Sequence, residues 1–156
     1  AYKCFEFIGP TPIDFDSKKM YGSCVWEELC NFSLQEQIKK GKTKIGIIFN
    51  TDPHNKSGSH WIANYVDIPK HRCYYFDSYG MRPPRQVYKF MQWLTIKRPL
   101  KLKMNGKRFQ RTASECGMFC MYFIVCMLEG ETFAHFCRRS PSDKLMLEMR
   151  KKFYST

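Results

Sequence analysis

The chain has 156 residues, a formal net charge of +12 and an aromatic share of 16%. Its length suits one domain, residues 1–156, large enough to close a core without a disulfide or metal staple. The 13 Phe, 9 Tyr and 3 Trp make it too apolar and aromatic for a disordered, collagen-like or coiled-coil chain.

Taken in chain order, the opening residues lack the charged, apolar and small-residue pattern of a secretory leader. Residues 23–40 carry apolar side chains at helical spacing and stop near Gly41, which predicts one helix. Residues 44–49 (KIGIIF) read as a buried strand leading into the turn chemistry of Asn50-Thr51-Asp52-Pro53. Residues 60–67 and 72–77 read as two strands joined by a short loop containing Pro69, hence a hairpin. After Gly80 and Pro83-Pro84, residues 85–94 form an amphipathic helical pattern, residues 100–104 a short strand, and Asn105-Gly106 a turn. Residues 116–128 are apolar nearly all round, as expected of a central buried helix, yet far too short to span a bilayer. A last helix starts behind Ser140-Pro141-Ser142 and runs to about Phe153. A β-rich middle enclosed by helices is an α+β arrangement.

The positive charge is local. Between Asp77 and Glu115 lie 37 residues without a carboxylate, carrying ten bases: Arg82, Arg85, Lys89, Lys97, Arg98, Lys101, Lys103, Lys107, Arg108 and Arg111. The rest of the chain has 16 bases against 14 acids. Such a stretch, 78–114, is either a solvated face or a docking surface for a polyanion such as nucleic acid.

Eight cysteines, at 4, 24, 30, 73, 116, 120, 126 and 137, form no CxxC pair and match no zinc-ligand spacing. The last four sit among aromatic and Met residues, surroundings typical of buried free thiols. With no leader visible, the expectation is an intracellular, reducing compartment, no structural disulfide and no metal.

Cys116 differs from the others by position. It follows polar loop residues and opens the buried helix, where unpaired backbone N–H groups and the macrodipole favour a thiolate. Gly117 beside it lets a substrate backbone approach. The alternative is one more core cysteine, the reading given to Cys120 and Cys126. A nucleophilic thiol needs a base, and four histidines are available. His54 and His71 sit in polar turns, and His135, in Phe-Ala-His-Phe, reads as a packed structural residue. His60 opens a strand whose hairpin partner ends at Asp77, so the two belong side by side. A carboxylate on one ring nitrogen fixes the tautomer and leaves the other to take the thiol proton. In isolation Asp77 reads equally well as a turn cap before Ser78-Tyr79-Gly80. Gln110 carries an amide able to donate to an oxyanion together with the Cys116 N–H, though a surface Gln is the plainer reading.

The series Asn50-Thr51, His60-Trp61, Phe76-Asp77, Gln110 and Glu115-Cys116-Gly117 resembles the adenain and ubiquitin-like-protease clan of cysteine proteases. Its members present His, an acid or Asn, Gln and Cys in this order, whereas papain-type enzymes run Cys first. Asn50-Thr51-Asp52 ten residues before His60-Trp61 is most similar to the members that mature virus particles. Asp77 is the deSUMOylating pattern, in a position where a particle-maturing member has Asn. The resemblance implies a central mixed sheet flanked by helices, with the nucleophile at the N-terminus of a buried helix. It implies catalysis by Cys116, His60, Asp77 and Gln110. It also implies cleavage at Gly-Gly-Xaa sites, in a narrow cleft roofed by Trp61 and edged by Asn50. A flat indole over a groove excludes side chains larger than glycine.

The expected protein is a monomeric thiol endopeptidase that processes viral or virus-like structural polyproteins. No resident cofactor, metal or membrane association is expected, and activation by DNA or a peptide is left open. A deconjugating protease for SUMO or another ubiquitin-like modifier is the alternative. A basic nucleic-acid-binding module without activity is a third reading, against which the complete set of catalytic residue types counts.

Overall fold

A computed structural model of the chain describes residues 2–14, 27–51, 60–112 and 115–155. Five strands, β1 (Phe5–Pro12), β2 (Lys44–Asn50), β3 (Trp61–Asp67), β4 (Arg72–Phe76) and β5 (Lys101–Met104), lie in sequence order across one sheet. The outer pairs β1–β2 and β4–β5 are parallel, and the central pairs β2–β3 and β3–β4 are antiparallel. Six helices complete the described chain: α1 (Glu27–Cys30), α2 (Leu34–Lys39), α3 (Arg85–Lys97), α4 (Cys116–Leu128), α5 (Phe133–Arg139) and α6 (Asp143–Tyr154). This is the expected α+β fold, a mixed sheet with helices around it and Cys116 at the start of the buried helix α4.

Strand periodicity builds the two cores. Ile45, Ile47 and Phe49 of β2, Ile62 and Val66 of β3, and Cys73 and Tyr75 of β4 share one face, packed with α1, α2 and α3. The alternate residues, Ile48, Ala63, Tyr65, Tyr74 and Phe76, turn to the other face and meet α4, α5 and α6. Because both faces of the sheet centre are covered, β2, β3 and β4 are nearly continuously buried rather than alternating with exposed residues. Helix α4 lies between the sheet and the outer helices, which explains why Cys116, Met118, Phe119, Cys120, Phe123, Ile124, Cys126 and Met127 are all buried. Phe76, the last residue of β4, is the centre of an aromatic cluster. Its ring lies 4.8 Å from Phe123, 5.3 Å from Phe109 and 5.5 Å from Phe136, measured between centroids.

Three sequence expectations change, and one strand is added to them. The helix expected over residues 23–40 is two helices within the described part, separated at Asn31-Phe32-Ser33. Ser33 has extended backbone and its Oγ accepts from the Glu36 N–H, so Ser33 and Glu36 are the start signal of a new helix inside what reads as one periodic run. Strand β1 has no counterpart among the sequence expectations, because Gly9, Pro10 and Pro12 interrupt its apolar pattern. They are tolerated because β1 is an edge strand, and its register breaks between Ile8 and Thr11. The short helix α5, capped by the Thr132 hydroxyl, makes His135 an exposed residue bonded to Glu131 at 2.8 Å rather than a packed one. Finally, Cys30 is disulfide-bonded, whereas Cys4, Cys73, Cys116, Cys120, Cys126 and Cys137 are free. Bridging depends on distance in the fold, which cysteine spacing does not determine. Asp52, Pro53 and His54 lie outside the described residues, as does the start of the 23–40 pattern. Among the described residues, no helix is long and apolar enough to cross a membrane.

Replacing Phe76 by Ala is expected to cost about 3–5 kcal/mol of stability, the usual range for a large buried aromatic. Phe7→Ala, at a 45% exposed position, should cost well under ~1 kcal/mol. Urea unfolding midpoints of the two variants check the contrast.

Candidate active site

The β3–β4 hairpin places His60 beside Asp77. His60 stands directly before β3, with its carbonyl taken by the Thr51 N–H, and Asp77 directly follows β4. His60 Nε2 lies 2.7 Å from Asp77 Oδ1, in a contact where the carboxylate is almost fully buried. Asp77 is both the turn cap and the imidazole partner. The same Oδ1 accepts from the Tyr79 N–H at 2.9 Å, and the Asp77 carbonyl accepts from the Gly80 N–H.

Residues not singled out by the sequence reading hold the backbone at Asp77. The Asn105 side chain accepts from the Asp77 N–H at 2.9 Å and donates to the Asp77 carbonyl at 2.7 Å, a two-way clamp from the loop after β5. The carbonyl of buried Ser78 accepts from both Phe109 N–H and Gln110 N–H, joining the same loop to the hairpin end. Gly80 makes this closeness possible. Its φ is +73°, and a Cβ there would sit 2.8 Å from the Lys107 carbonyl carbon. Asn105-Gly106 was legible as a turn; that Asn105 reaches back 28 residues was not.

Cys116 is the first residue of α4 and is buried. Burial works against its thiolate, but hydrogen bonding to His60, the Trp61 N–H, the imidazole charge and the Gly117 N–H outweigh that. The thiol is held below its ordinary value. For His60, burial disfavours the imidazolium, yet Asp77 and Cys116 dominate and push the ring from 6.5 up to about 9. The opposite shifts favour a thiolate beside an imidazolium. The His60 Nδ1 is buried without a hydrogen bond of ordinary geometry, so the approach to Cys116 is looser than that to Asp77. Cys120, one turn further along α4, shows what the site adds, because burial there dominates and drives the thiol well above its ordinary value.

Gln110 is fully buried rather than a surface residue. Its Oε1 accepts from Ser78 Oγ at 2.6 Å, while Nε2 donates to the Thr112 carbonyl and, at 3.3 Å, to the Tyr79 hydroxyl. Helix α6 holds the described residues next to Gln110 and Cys116. Asp143 accepts from the Arg111 N–H and the Thr112 hydroxyl, and two turns later Arg150 pairs with buried Glu115 at 3.0 Å.

Asn50 and Trp61 face each other across β2 and β3 at the same end of the sheet. Trp61 lines a cavity of about 850 Å³ together with Cys116, Gly117, Met121 and Ile124. A Cβ added to Gly117 would meet nothing within 4 Å, so this glycine borders open space. Nine of the ten bases between Asp77 and Glu115 are exposed, and among the described residues none of the ten forms a salt bridge. No group of three or more metal-ligating side chains occurs among the described residues.

A protein-family model described as the Ulp1 protease family, C-terminal catalytic domain, matches residues 27–156. A thiol protease of Acanthamoeba polyphaga mimivirus is 33% identical over 159 residues, spanning 98% of this chain and 51% of that protein. The SUMO-1 cysteine protease of African swine fever virus is 31% identical over 126 residues, 75% of this chain and 46% of that one. A crystal structure of the African swine fever virus protease matches the fold with a TM-score of 0.71, at 23% identity, over 94% of this chain and 58% of the other. A protease of bovine adenovirus 7 is 34% identical over 108 residues, 62% and 53% of the respective chains. The chain thus spans about half the length of the relatives it matches by sequence.

The lowered Cys116 thiol should alkylate with iodoacetamide at pH values where ordinary thiols are protonated. His60→Ala removes both a hydrogen bond and a positive charge, so the Cys116 rate at neutral pH should fall and its titration move up. Peptide mapping by mass spectrometry across pH checks this, with Cys120 expected to stay unreactive in the folded protein.

Proposed function

The chain belongs to the Ulp1 protease family, and from that membership we propose that it is a thiol endopeptidase. Its substrates are viral or virus-like structural polyproteins, cut at Gly-Gly-Xaa sites during particle maturation. The observation that carries this reading is the His60–Asp77 contact of 2.7 Å beside a thiol whose titration is lowered by His60. The relationship to viral thiol and cysteine proteases supports the substrate class.

In the proposed reaction, the Cys116 thiolate attacks the carbonyl carbon of the scissile glycine. A C–S bond forms and the carbonyl π electrons move to oxygen, where the Gln110 amide and the Cys116 N–H stabilise the charge. As the tetrahedral carbon collapses, the C–N bond breaks and imidazolium His60 gives its proton to the departing amine, leaving a thioester. Neutral His60 then takes a proton from water, which attacks the thioester. The C–S bond breaks, the product acid leaves, and the thiolate–imidazolium pair returns. Asp77 orients the ring throughout without itself taking the proton. These four residues balance every proton and electron pair, so the reading requires no resident cofactor. Trp61 and Asn50 form the cleft: Trp61 excludes side chains beside the scissile bond, and open space over Gly117 accommodates the substrate backbone.

A second reading, removal of SUMO or another ubiquitin-like modifier, uses the same chemistry. It is favoured by the family itself and by the name of the African swine fever virus relative. In either case the basic stretch 78–114 is an auxiliary surface that docks nucleic acid, and the protein acts as an intracellular monomeric catalytic domain, residues 1–156. A salt series of DNA affinity measures that contact, which should weaken steeply as salt rises.

Incubation with a Gly-Gly-Xaa peptide library and, in parallel, with modifier conjugates separates the two substrate classes. The proposal expects peptide turnover; cleavage of conjugates alone would select the second reading. Cys116→Ala should abolish either activity. Gln110→Ala should lower kcat by roughly 10²–10³, the usual effect of losing one oxyanion donor.

A further inference from the structure

One residue touches the base, its carboxylate and the amide donor through three different parts of itself. The Tyr79 N–H donates to Asp77 Oδ1 at 2.9 Å, the oxygen that also meets His60 Nε2. Its ring lies 4.5 Å from the His60 imidazole between centroids, tilted by 36°. Its hydroxyl accepts from Gln110 Nε2 at 3.3 Å. The register explains the placement. Ala63 pairs with Phe76 in the antiparallel hairpin, and the same register continued past the paired residues sets His60 opposite Tyr79. Arg108 lies on the Tyr79 ring at 4.8 Å and donates from Nε to the Gln110 carbonyl at 2.7 Å, tying the aromatic ring to the backbone of the amide donor.

We propose that Tyr79 is a positioning residue that couples the catalytic base to the oxyanion donor, its ring holding His60 on Asp77 and its hydroxyl steadying the Gln110 amide. The part concerning Gln110 rests on the donor role proposed above. The geometry of that amide supports it. The Thr112 carbonyl can only accept, so Nε2 must face it, and this fixes the amide's orientation. The second N–H then points to the Tyr79 hydroxyl over a distance at the long end of hydrogen bonding. A developing oxyanion is a stronger acceptor than a neutral hydroxyl, so it can take over this N–H in the transition state while the buried amide stays satisfied at rest. The ring has a separate effect. An aromatic surface against the imidazole limits its rotation and keeps water from the Asp77 bond. The ionisable groups facing His60 are Asp77 and Cys116, with Arg108 on the Tyr79 ring.

Two substitutions divide the roles. Tyr79→Phe keeps the ring and the backbone N–H but deletes the hydroxyl; Tyr79→Leu also deletes the ring. Both are measured on the full chain with a Gly-Gly-Xaa peptide, as kcat and KM across pH. Tyr79→Phe is expected to lower kcat by about three- to tenfold at unchanged KM, the scale of one net hydrogen bond. The alkaline limb should stay near that of the wild type, and the loss should vanish in a Gln110→Ala background. Tyr79→Leu relieves some burial, which raises the ring, but frees it from Asp77, whose contact also raises it; the proposal expects the lost contact to outweigh the regained solvation, so the alkaline limb should move down. Equal Tyr79→Phe losses with and without Gln110, or an alkaline limb unmoved in a folded Tyr79→Leu, would overturn the coupling. A wild-type kcat in Gln110→Ala alone instead overturns the donor role, and leaves the effect of the ring on His60 to be judged from the alkaline limb.

Discussion

The hydrogen bond between His60 and Asp77, 2.7 Å long and nearly buried on the carboxylate side, is the constraint around which the molecule is arranged. A carboxylate out of water needs partners for its lone pairs, and a polar network inside a protein is stable only when each member is satisfied. Asp77 receives His60 and the Tyr79 N–H on one oxygen, while Asn105 holds its backbone from both sides. These contacts come from the hairpin end and from the loop after β5, two segments far apart in sequence. Each exists because the sheet beneath is fixed. Phe76, the residue before Asp77, sits in the aromatic cluster of the core, so the polar site is continuous with close aromatic packing.

The thiol depends on the same arrangement. A cysteine at the start of a buried helix gains from backbone N–H groups but loses from desolvation, and the balance is set by what stands opposite. At Cys116 His60 decides the direction; at Cys120, without such a partner, burial decides it. Helix α6 adds a mechanical element, gripping residues 111 and 112 through Asp143 and residue 115 through Arg150. The described residues on either side of the connection to Cys116 are therefore held by one helix face.

Much of this was legible in the sequence because the signals are local. Apolar runs mark β2, β3, β4 and α4, and polar residues immediately before an all-apolar helix mark Cys116 as exceptional among eight cysteines. A hairpin between residues 60 and 77 follows from turn chemistry, and the pairing of His60 with Asp77 follows from the hairpin. Contacts made across long sequence separations were not legible. Asn105 looked like a turn residue because its turn is local, whereas its bonds to Asp77 are not. Gln110 read most plainly as a surface residue, since nothing in its neighbours foretells complete burial. Tyr79 was part of a turn motif, and its role emerges once the strand register sets it against His60. Strand β1 failed for a different reason: edge strands tolerate proline, and two prolines in eight residues obscure the strand pattern.

The basic stretch changes meaning in three dimensions. Apart from Arg108 against Tyr79, its charges stay outside the network around His60, and nine of the ten lie exposed on and around α3, on β5 and in the following loop. The net charge of +12 therefore belongs to a surface beside the chemistry rather than to the chemistry. In the proposed mechanism imidazolium His60 already faces thiolate Cys116 before substrate binds. A nitrogen-15 NMR titration of the His60 ring tests it most directly: the ring should stay protonated up to about pH 9, and a titration near the ordinary 6.5 would contradict the account.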